Sequence, residues 1–200
     1  MGRRAMGGMG LSQSLRPEGP SSEASPSGHR TERTLEGATW IEWMRILLAR
    51  AEAVGQTGEV PVTAVVLDPA GRCIGHGRNR REHQQDPLGH AELIALRQAA
   101  LVLGDWRFNG CTLIATLEPC TMCAGALVQA RMGRVVFGAH DSKRGGLGGS
   151  LDLSTHASAH HHMTVIGGVL GDEARELLES WFRRRRLRQQ RLRRQRRGNR

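Results

Sequence analysis

The sequence predicts an α/β fold in which helices are layered on a sheet, because segments with helical and with extended patterns alternate along the chain. The predicted strands, rich in β-branched and apolar residues, are 60–67, 72–77, 111–116, 134–137 and 165–170. The predicted helices, with apolar residues three or four apart, are 39–54, 90–103, 120–131 and a last helix from 172. A chain of 200 residues accommodates one such domain with tails on either side.

The first part of the predicted domain is a helix followed by a β-hairpin. The apolar residues of the first helix keep a helical spacing until Gly55 and Gly58 end the pattern. The strand that follows is almost wholly apolar, as a buried strand should be. Asp-Pro-Ala-Gly at 68–71 favours a turn, so we expect the second strand to pair with the first. Residues 78–88 are polar and are predicted to be irregular.

Strands and helices alternate in the second half of the domain. One apolar stripe of the second helix is formed by Leu93, Leu96, Ala100 and Leu103. Two short apolar strands flank the third helix, and a glycine-rich loop is predicted at 141–150. Asp172 is predicted to cap the last helix, which continues through Trp181 and Phe182 into a run of arginines.

Composition divides the chain into three parts. Residues 1–38 are rich in Gly, Ser, Pro and Arg and are predicted to be a disordered extension, whereas 39–182 form the folded domain. Residues 183–200 form an arginine-rich tail, with eleven arginines and no acidic residue. Because the whole chain carries +10, the tail accounts for its basicity. Such a tail favours a polyanion, most simply RNA phosphates or an acidic membrane; the alternative is a solvated helix that only aids solubility.

Cysteine content and hydropathy favour a cytoplasmic enzyme. The chain has four cysteines, fewer than a small secreted scaffold uses, and no apolar stretch as long as a membrane span. Arg3 and Arg4 precede no apolar block, which argues against a secretory signal, although the Arg and Ser of this segment leave a transit peptide open. Cys73 and Cys111 lie in strand patterns and are expected to be buried as small hydrophobic residues.

Cys120 and Cys123 are spaced as metal ligands at the start of a helix. Residues three apart share one helix face, and the free N–H groups of a first turn stabilise thiolates. Pro119 suits the entry to that helix because its missing N–H costs nothing there. Two thiolates supply half of a tetrahedral zinc site, although redox proteins share this spacing.

His90 and Glu92 complete a catalytic pattern. Three protein ligands leave the fourth zinc position open, as in catalytic rather than structural sites. Glu92 is then the candidate proton carrier. Because residues two apart in a regular helix point in nearly opposite directions, both side chains reach one pocket only if His90 lies at the helix cap.

These residues resemble the signature of the zinc-dependent cytidine and deoxycytidylate deaminase superfamily, His-Ala-Glu followed by Pro-Cys-x-x-Cys. Within it the chain resembles the bacterial tRNA-specific adenosine deaminases from about Trp40 to Arg186. The further segments that carry this resemblance are 59–62, Asn79, 86–87, 116–120, 123–126, 133–139, Asp141, Lys143, Gly145 and 181–183. The resemblance implies a three-layer α/β/α deaminase fold with a central, mostly five-stranded mixed sheet flanked by helices.

The resemblance also implies the chemistry. His90, Cys120 and Cys123 would bind one zinc ion per subunit, and Glu92 would carry protons between a zinc-bound water and adenine. Hydroxide would attack C6, ammonia would leave, and the product would be inosine. The implied substrate is adenosine at the wobble position (34) of tRNA, first of all an arginine tRNA with an ACG anticodon.

The remaining contacts and the assembly are implied in the same way. Asn79 and Ala91 would bind the purine, and Asp141 and Lys143 would hold the neighbouring nucleotides. The expected RNA contacts of the tail are Arg183, Arg184, Arg185 and Arg186. The partners would be the anticodon stem-loop and a second copy of the chain, with no membrane.

The chain departs from the family at a few positions. Thr63, Leu88 and Gly89 replace usual residues and are expected near the pocket, and His140 stands where Arg is common. Outside the signature, four histidines in one polar loop are expected to be solvated; they are His156, His160, His161 and His162. Trp106 and Phe108 are expected in the core or an interface.

Two other functions remain open from the sequence. A deaminase of a free base or nucleoside, such as guanine or cytosine, would use the same zinc chemistry. An RNA-binding protein with a structural zinc and no turnover would not need Glu92, and it would need a fourth ligand that is not apparent.

Overall fold

The computed structural model describes residues 38–198 and places five strands and five helices there. The strands are β1 Thr63–Leu67, β2 Cys73–Arg78, β3 Thr112–Leu117, β4 Arg134–Ala139 and β5 Thr164–Ile166. The helices are α1 Ala38–Gln56, α2 Arg81–Gln84, α3 Ala91–Leu103, α4 Thr121–Gln129 and α5 Gly171–Gly198. The predicted N-terminal extension lies outside the described residues, apart from Ala38. No helix in 38–198 combines the length and apolarity that a membrane span requires.

The strands form one mixed sheet in the order β2-β1-β3-β4-β5. The predicted hairpin is confirmed, since β1 pairs antiparallel with β2, and it also pairs antiparallel with β3. The pairs β3–β4 and β4–β5 are parallel. In a parallel pair the connection must cross over the sheet, and α4 makes that crossover between β3 and β4. The five-stranded mixed sheet expected from the resemblance is therefore confirmed.

Helices cover both faces of the sheet, which makes the domain three layers. One face buries Val65, Leu67, Ile114 and Val136 against Met44 and Leu47 of α1. The other face buries Ala64, Val66, Leu113 and Ala115 against α3 and α4. Helix α5 packs on β4 beside α1. Successive residues of β1 and β3 point to opposite layers, as the two-residue period of a strand requires.

Two glycines on β2 bring α3 unusually close to the sheet. A Cβ at Gly75 would collide with the carbonyl oxygen of Ala95, and a Cβ at Gly77 would collide with that of Ala91. Both glycines lie on one face of the strand and meet small residues spaced four apart on the helix. The absence of side chains at this contact sets the distance of the α3 N-terminus from the sheet, and with it the position of the residue before the helix, His90.

Several element boundaries differ from those predicted, most of them by one or two residues, and three differences bear on the fold. Strand β1 starts at Thr63 rather than at 60, because the N–H of Val62 donates to the carbonyl of Val60 in a tight turn (2.8 Å). Helix α5 starts at Gly171, so Asp172 is not its cap; Asp172 lies in the first turn and its carboxylate pairs with Arg175 at 2.7 Å. The last strand is only three residues long.

The segment predicted to be irregular, 78–88, contains the short helix α2. The buried carboxylate of Glu59 accepts hydrogen bonds from the N–H groups of Glu82 and His83, at 2.9 and 3.3 Å. These donors are the unpaired N–H groups of a helix start. A contact across more than twenty residues therefore stabilises the helix, and no local pattern predicts it.

One of the expectations for single side chains is wrong, the one for Cys73. Cys111 is buried as predicted, but Cys73 is exposed because β2 is an edge strand. Phe108 lies in the core as expected, whereas Trp106 is half exposed and stacks under the Arg107 guanidinium at 4.2 Å.

Candidate active site

Three predicted metal ligands converge at one point. The Sγ atoms of Cys120 and Cys123 lie 3.6 and 3.5 Å from Nδ1 of His90. All three ligand atoms lie within 4.8 Å of one another, and among the described residues this is the one such group of three or more His, Cys, Asp and Glu. Residues thirty and thirty-three apart in sequence are thus brought together by the starts of two helices, α3 and α4.

Two of these side chains, those of His90 and Cys120, are oriented by their positions at helix N-caps. His90 is the N-cap of α3, with an extended backbone (φ −82°, ψ 145°), and Cys120 is the N-cap of α4, also extended (φ −66°, ψ 170°). The side chain of His90 therefore points in a different direction from that of a residue inside the helix. For this reason His90 and Glu92 can face one pocket although they are two residues apart. The N–H of Ala91 donates to Oδ1 of Asn79 at 3.0 Å, so Asn79 anchors the start of α3.

The donor set has the electrostatics of a metal centre. A hydrogen bond from Cys123, helped by one from His90, lowers the pKa of the Cys120 thiol to about 3 despite partial burial. The hydrogen bond to Cys120 and burial raise the pKa of Cys123, and the hydrogen bond to Cys120 raises that of His90. One thiolate is therefore available at neutral pH beside a second sulfur and an imidazole, which is the chemistry that zinc prefers.

The distances also fit a zinc ion. Zinc bonds to imidazole nitrogen at about 2.0 Å and to thiolate sulfur at about 2.3 Å, so a tetrahedral ion holds these atoms about 3.5 Å apart. The two measured Nδ1–Sγ distances, 3.6 and 3.5 Å, match this separation. The imidazole nitrogen and each sulfur are therefore separated as a tetrahedral ion would require, and His90 and Cys120 line the cavity.

Glu92 lies beside this group and is buried. Its side chain is 4% exposed, and burial raises its pKa to about 7. Its Oε2 atom is buried and has no hydrogen-bond partner among the described residues. A buried carboxylate oxygen without a partner is costly unless a ligand or a reacting group supplies one. A pKa near neutrality suits a group that must both accept and donate a proton.

A cavity of about 410 Å³ opens above these residues. Of the predicted site residues, it is lined by Asn79, His90, Glu92, Cys120, Asp141 and Lys143. The structure does not bring the side chain of Ala91 to this cavity, because it packs in the core. Lining residues that the sequence reasoning missed include Arg81, Glu118, Arg144, Leu178 and Phe182. Local pattern gave no signal for them, apart from the position of Glu118 beside the Pro-Cys motif.

The carboxylate of Asp141 is turned toward its own loop. Its Oδ1 accepts hydrogen bonds from the N–H groups of Lys143 and Arg144, at 3.0 and 3.1 Å. This arrangement is the local turn that Asp side chains favour. Asp141 therefore shapes the loop on which Lys143 and Arg144 stand.

The side chain of Glu118 binds the backbone of the glycine-rich loop. Its buried carboxylate accepts hydrogen bonds from the N–H groups of Asp141 (2.9 Å), Leu147 (3.1 Å) and Gly149 (2.8 Å). A Cβ at Gly145 would collide with this carboxylate, and one at Gly149 would come within 2.7 Å of it. Gly145 and Gly149 are thus required by a close approach to Glu118. We call the three hydrogen bonds to this carboxylate the Glu118 clamp.

The predicted tail is a continuation of α5, which runs unbroken to Gly198. Arg183 pairs with Glu176 at 3.4 Å, and Arg185 pairs with Glu82 of α2 at 3.0 Å while lying over the Trp181 ring. Arg184 and Arg185 line a groove of about 350 Å³ between α5 and the end of α1. The arginine run therefore begins next to the cavity, whose wall includes Phe182.

Residues that depart from the family lie outside the cavity lining. The hydroxyl of Thr63 donates to the carbonyl of Leu47 in α1 at 2.8 Å, so Thr63 faces the helix layer rather than the pocket. Leu88 is exposed, Gly89 is buried in the turn before His90, and neither lines the cavity. His140 lies 3.7 Å from the Glu118 carboxylate at its outer edge.

The four histidines of the polar loop do not converge. His161 contacts the carbonyl of Met132 (2.8 Å), and His162 contacts that of Ser154 (2.9 Å). His156 is exposed and contacts Ser158 at 2.7 Å. Within 38–198 these histidines take part in no group with metal-ligand spacing.

Comparisons with known proteins agree with this geometry. A family model for the cytidine and deoxycytidylate deaminase zinc-binding region matches residues 39–139. A tRNA-specific adenosine deaminase of Haemophilus influenzae is 43% identical over 143 residues, which are 72% of this chain and 83% of that protein. A tRNA(Ile)-lysidine synthase of Deinococcus deserti is 50% identical over 146 residues, which are 72% of this chain but only 26% of that protein.

A solved structure is similar as well. It comes from a study of A-to-I editing by tRNA:A34 deaminases at the wobble position of transfer RNA. The TM-score is 0.65 at 36% identity, and the match covers 68% of this chain and 99% of the other. This chain thus spans nearly all of that structure and about a quarter of the Deinococcus relative.

Proposed function

Because this chain belongs to the zinc-binding family of cytidine and deoxycytidylate deaminases, we propose that it hydrolyses adenosine to inosine at the wobble position of a transfer RNA. The observation that carries the proposal is the convergence of His90, Cys120 and Cys123 beside a buried, unpartnered Glu92 oxygen. The relatives of similar length support the choice of adenosine in tRNA over other substrates of the family.

We propose that His90, Cys120 and Cys123 hold the zinc ion. Zinc, when bound, supplies a Lewis acid that lowers the pKa of water to near 7. The remaining steps belong to Glu92. It accepts a proton from the water that attacks C6 of the purine and donates that proton to N1. A second transfer through Glu92 protonates the amino group, which leaves as ammonia, so that one water is consumed for each inosine formed.

The cavity supplies the binding surface for the base. Asn79 lies at its wall with its oxygen engaged by the Ala91 N–H, so the amide nitrogen is the group left to donate to an acceptor on the purine. The apolar side chains that line the cavity include Leu117, Leu178 and Phe182. Bases of an anticodon loop are largely unpaired, so their extraction into such a pocket costs less than from a duplex.

We further propose that the chain is a homodimer in the cytoplasm and that the anticodon stem-loop is its RNA partner. An apolar surface at the end of α3 supports a protein interface, since Leu101 is 86% exposed and Val102 is 63% exposed. Exposed apolar residues grouped in this way mark interaction sites in soluble proteins. Light scattering on the purified chain tests this part separately.

The function is tested by incubating the protein with an arginine tRNA that carries an ACG anticodon, followed by nucleoside analysis. We expect inosine to replace adenosine at position 34 and nowhere else in the anticodon loop. Turnover of free guanine, cytosine or their nucleosides without inosine in the tRNA would instead establish the alternative substrate class.

A further inference from the structure

One arginine of the run in α5 makes contacts that cross to another element. The guanidinium of Arg185 pairs with the carboxylate of Glu82 in α2 at 3.0 Å, and it lies 5.1 Å from the centre of the Trp181 ring. Its side chain is 34% exposed, against 60% for Arg183, which pairs with Glu176 of the same helix. Arg185 is therefore the more enclosed of the two, and its ion pair joins segments 103 positions apart.

This ion pair, which we call the Glu82–Arg185 bridge, connects two elements that line the cavity. On α2 the lining residue is Arg81, next to Glu82. On α5 the lining residues include Phe182, three positions before Arg185. The bridge therefore links two parts of the cavity wall that come from distant segments of the chain.

The α5 side of the bridge is held in place by Trp181. This side chain is 6% exposed, and its Nε1 donates to the carbonyl of Gly55 near the end of α1 at 2.9 Å. Because the guanidinium of Arg185 lies over the Trp181 ring, it loses less rotamer freedom on pairing than a fully solvated arginine would. Arg185 thus reaches α2 from a position that is already ordered.

The α2 side of the bridge has little packing of its own. This helix has four residues, and none of them is buried. Isolated helices of this length are not stable in water, so contacts with the rest of the domain must hold it. Glu59 accepts hydrogen bonds from its N–H groups, and the Glu82–Arg185 bridge ties one of its side chains to α5. The bridge is therefore a substantial part of what holds α2 in place.

We propose that Arg185 is a positioning residue, which acts through Glu82 to hold α2 at the cavity wall and does not bind RNA. This inference rests on the proposed function and reassigns one of the four arginines expected to contact RNA. A guanidinium that pairs with a carboxylate has to give up that ion pair before it can bind a phosphate. Since the wall is complete only while α2 is in place, the apparent affinity for substrate follows the fraction of molecules in that state.

The direction of the effect of Glu82→Gln tests the proposal. This change removes a negative charge and leaves Arg185 without its partner carboxylate. If Arg185 bound RNA, the change would lower KM for an anticodon stem-loop with adenosine at the wobble position. We expect KM to rise about two- to fivefold instead, the range for loss of an exposed ion pair. We expect kcat to change by less than about twofold, because Glu92 and the three ligand residues lie on or next to α3 and α4.

A second variant shows whether the two residues act together. Arg185→Gln should raise KM as Glu82→Gln does, and the double variant should be no worse than either single variant, since both changes break one contact. Glu176→Gln is the matched control, because it removes the same charge from an exposed ion pair confined to α5, and it should not raise KM. The proposal is overturned if KM in Glu82→Gln is unchanged or lower, or if the effects of the two single changes multiply in the double variant.

Hydrogen exchange in the RNA-free proteins gives a measurement that does not require turnover. The N–H groups of residues 82–84 are all hydrogen bonded, two to Glu59 and the third to the carbonyl of Arg80. By mass spectrometry they should exchange faster in Glu82→Gln and in Arg185→Gln than in the parent protein or in Glu176→Gln. Equal exchange in all four proteins would overturn the positioning role even where the parent forms inosine. If the parent forms no inosine, the proposed function fails, while faster exchange still supports the role of the bridge in holding α2.

Discussion

The chemistry at the level of single residues depends on where one carboxylate, one imidazole and one thiolate lie relative to helix ends. His90 is outside the regular helix and Glu92 is inside it, so residues two apart face the same cavity. Burial keeps the pKa of Glu92 at about 7, far above that of an exposed glutamate. The site thus combines a low-pKa thiolate, Cys120, with a carboxyl group that can carry a proton in both directions.

Replacement of Glu92 by Ala or Gln should separate catalysis from metal binding. We expect inosine formation to fall by about 10²- to 10⁴-fold, the contribution of a general acid–base group, while zinc content stays at one per chain. Gln keeps the size of the side chain, so a loss in both variants excludes a packing effect. Activity within a few-fold of the parent protein would exclude Glu92 as the proton carrier.

Asp68 shows how a single carboxylate stabilises the hairpin turn. Its oxygens accept the N–H groups of Ala70 and Arg72, each at 2.9 Å, and the Arg72 guanidinium at 2.7 Å. Burial raises the pKa of Asp68, but these hydrogen bonds and the Arg72 charge outweigh it, so the pKa lies below its ordinary value. The carboxylate therefore adds stability above the unfolded pKa, about 3.9, and this is lost as the pH falls through the folded pKa.

Asp68→Asn should consequently destabilise the protein more at pH 7 than at acid pH. The expected loss at pH 7 is about 1–2 kcal/mol of unfolding free energy, measured by urea denaturation, and the difference from the parent should shrink below pH 4. Arg72→Gln serves as the control, because Arg72 is largely exposed and its ion pair should contribute less than about 1 kcal/mol. If Asp68→Asn lowers the unfolding free energy by the same amount at pH 7 and at pH 3, this explanation is contradicted.

At the level of elements, two parts of the cavity wall, α2 and the glycine-rich loop, are segments that cannot order themselves. Helix α2 has four residues, and the glycine-rich loop has no regular structure beyond isolated bridges. Isolated helices of this length are not stable in water. Each segment is instead held by a buried carboxylate from a distant part of the chain, Glu59 for α2 and Glu118 for the loop.

Glu118→Gln should loosen the loop without unfolding the domain. A glutamine can offer only one oxygen, so at least one of the three N–H groups would face an amide NH₂ and lose its acceptor. Leaving such a donor buried costs about 1–3 kcal/mol. We expect trypsin to cleave after Lys143 or Arg144 at least about tenfold faster than in the parent protein, because the cleavage rate follows the fraction of molecules in which the loop is open. Mass spectrometry of the cleavage products over time measures this rate.

The matched control for this variant is Glu176→Gln, an exposed carboxylate on α5. It should leave the cleavage rate at Lys143 and Arg144 unchanged. Equal rates in the parent protein and in Glu118→Gln would mean that the loop is ordered by something other than the clamp.

For the whole molecule, charge is concentrated on one long helix. Residues 183–200 contain eleven arginines, and the described part of this segment continues α5 away from the cavity wall. If this helix follows the RNA backbone, substrate binding should depend on salt more steeply than the cavity alone requires.

Removal of residues 183–200 should therefore weaken RNA binding and flatten its salt dependence. Each lost phosphate contact should reduce the slope of log affinity against log salt by about 0.7 to 0.9. A second variant, with Gln in place of Arg191, Arg193, Arg194 and Arg197, keeps the helix length and tests the charge alone. A slope unchanged in both proteins would mean that the tail is only solvated.

The order of the elements and the metal ligands could be predicted because each rests on a local pattern. Apolar spacing identified the helices around Leu47 and Leu96, and the Cys120–Cys123 spacing together with His90 identified the ligand set. Substrate choice came from the resemblance to a family and not from spacing. The sequence wrongly predicts that Cys73 is buried, because a strand pattern does not show whether the strand lies at the edge of a sheet.

What the sequence by itself determined was the chemistry: which residues can bind a metal, which one can carry a proton, and where the positive charge lies. These follow from side-chain type and from spacings of two to four residues. The tertiary structure alone decided the shape of the cavity. The Glu118 clamp, the contact of Glu59 with α2 and the approach of α3 to Gly75 and Gly77 all join residues fourteen or more apart. Such contacts depend on how the layers pack, and a local pattern contains no information about packing between distant segments.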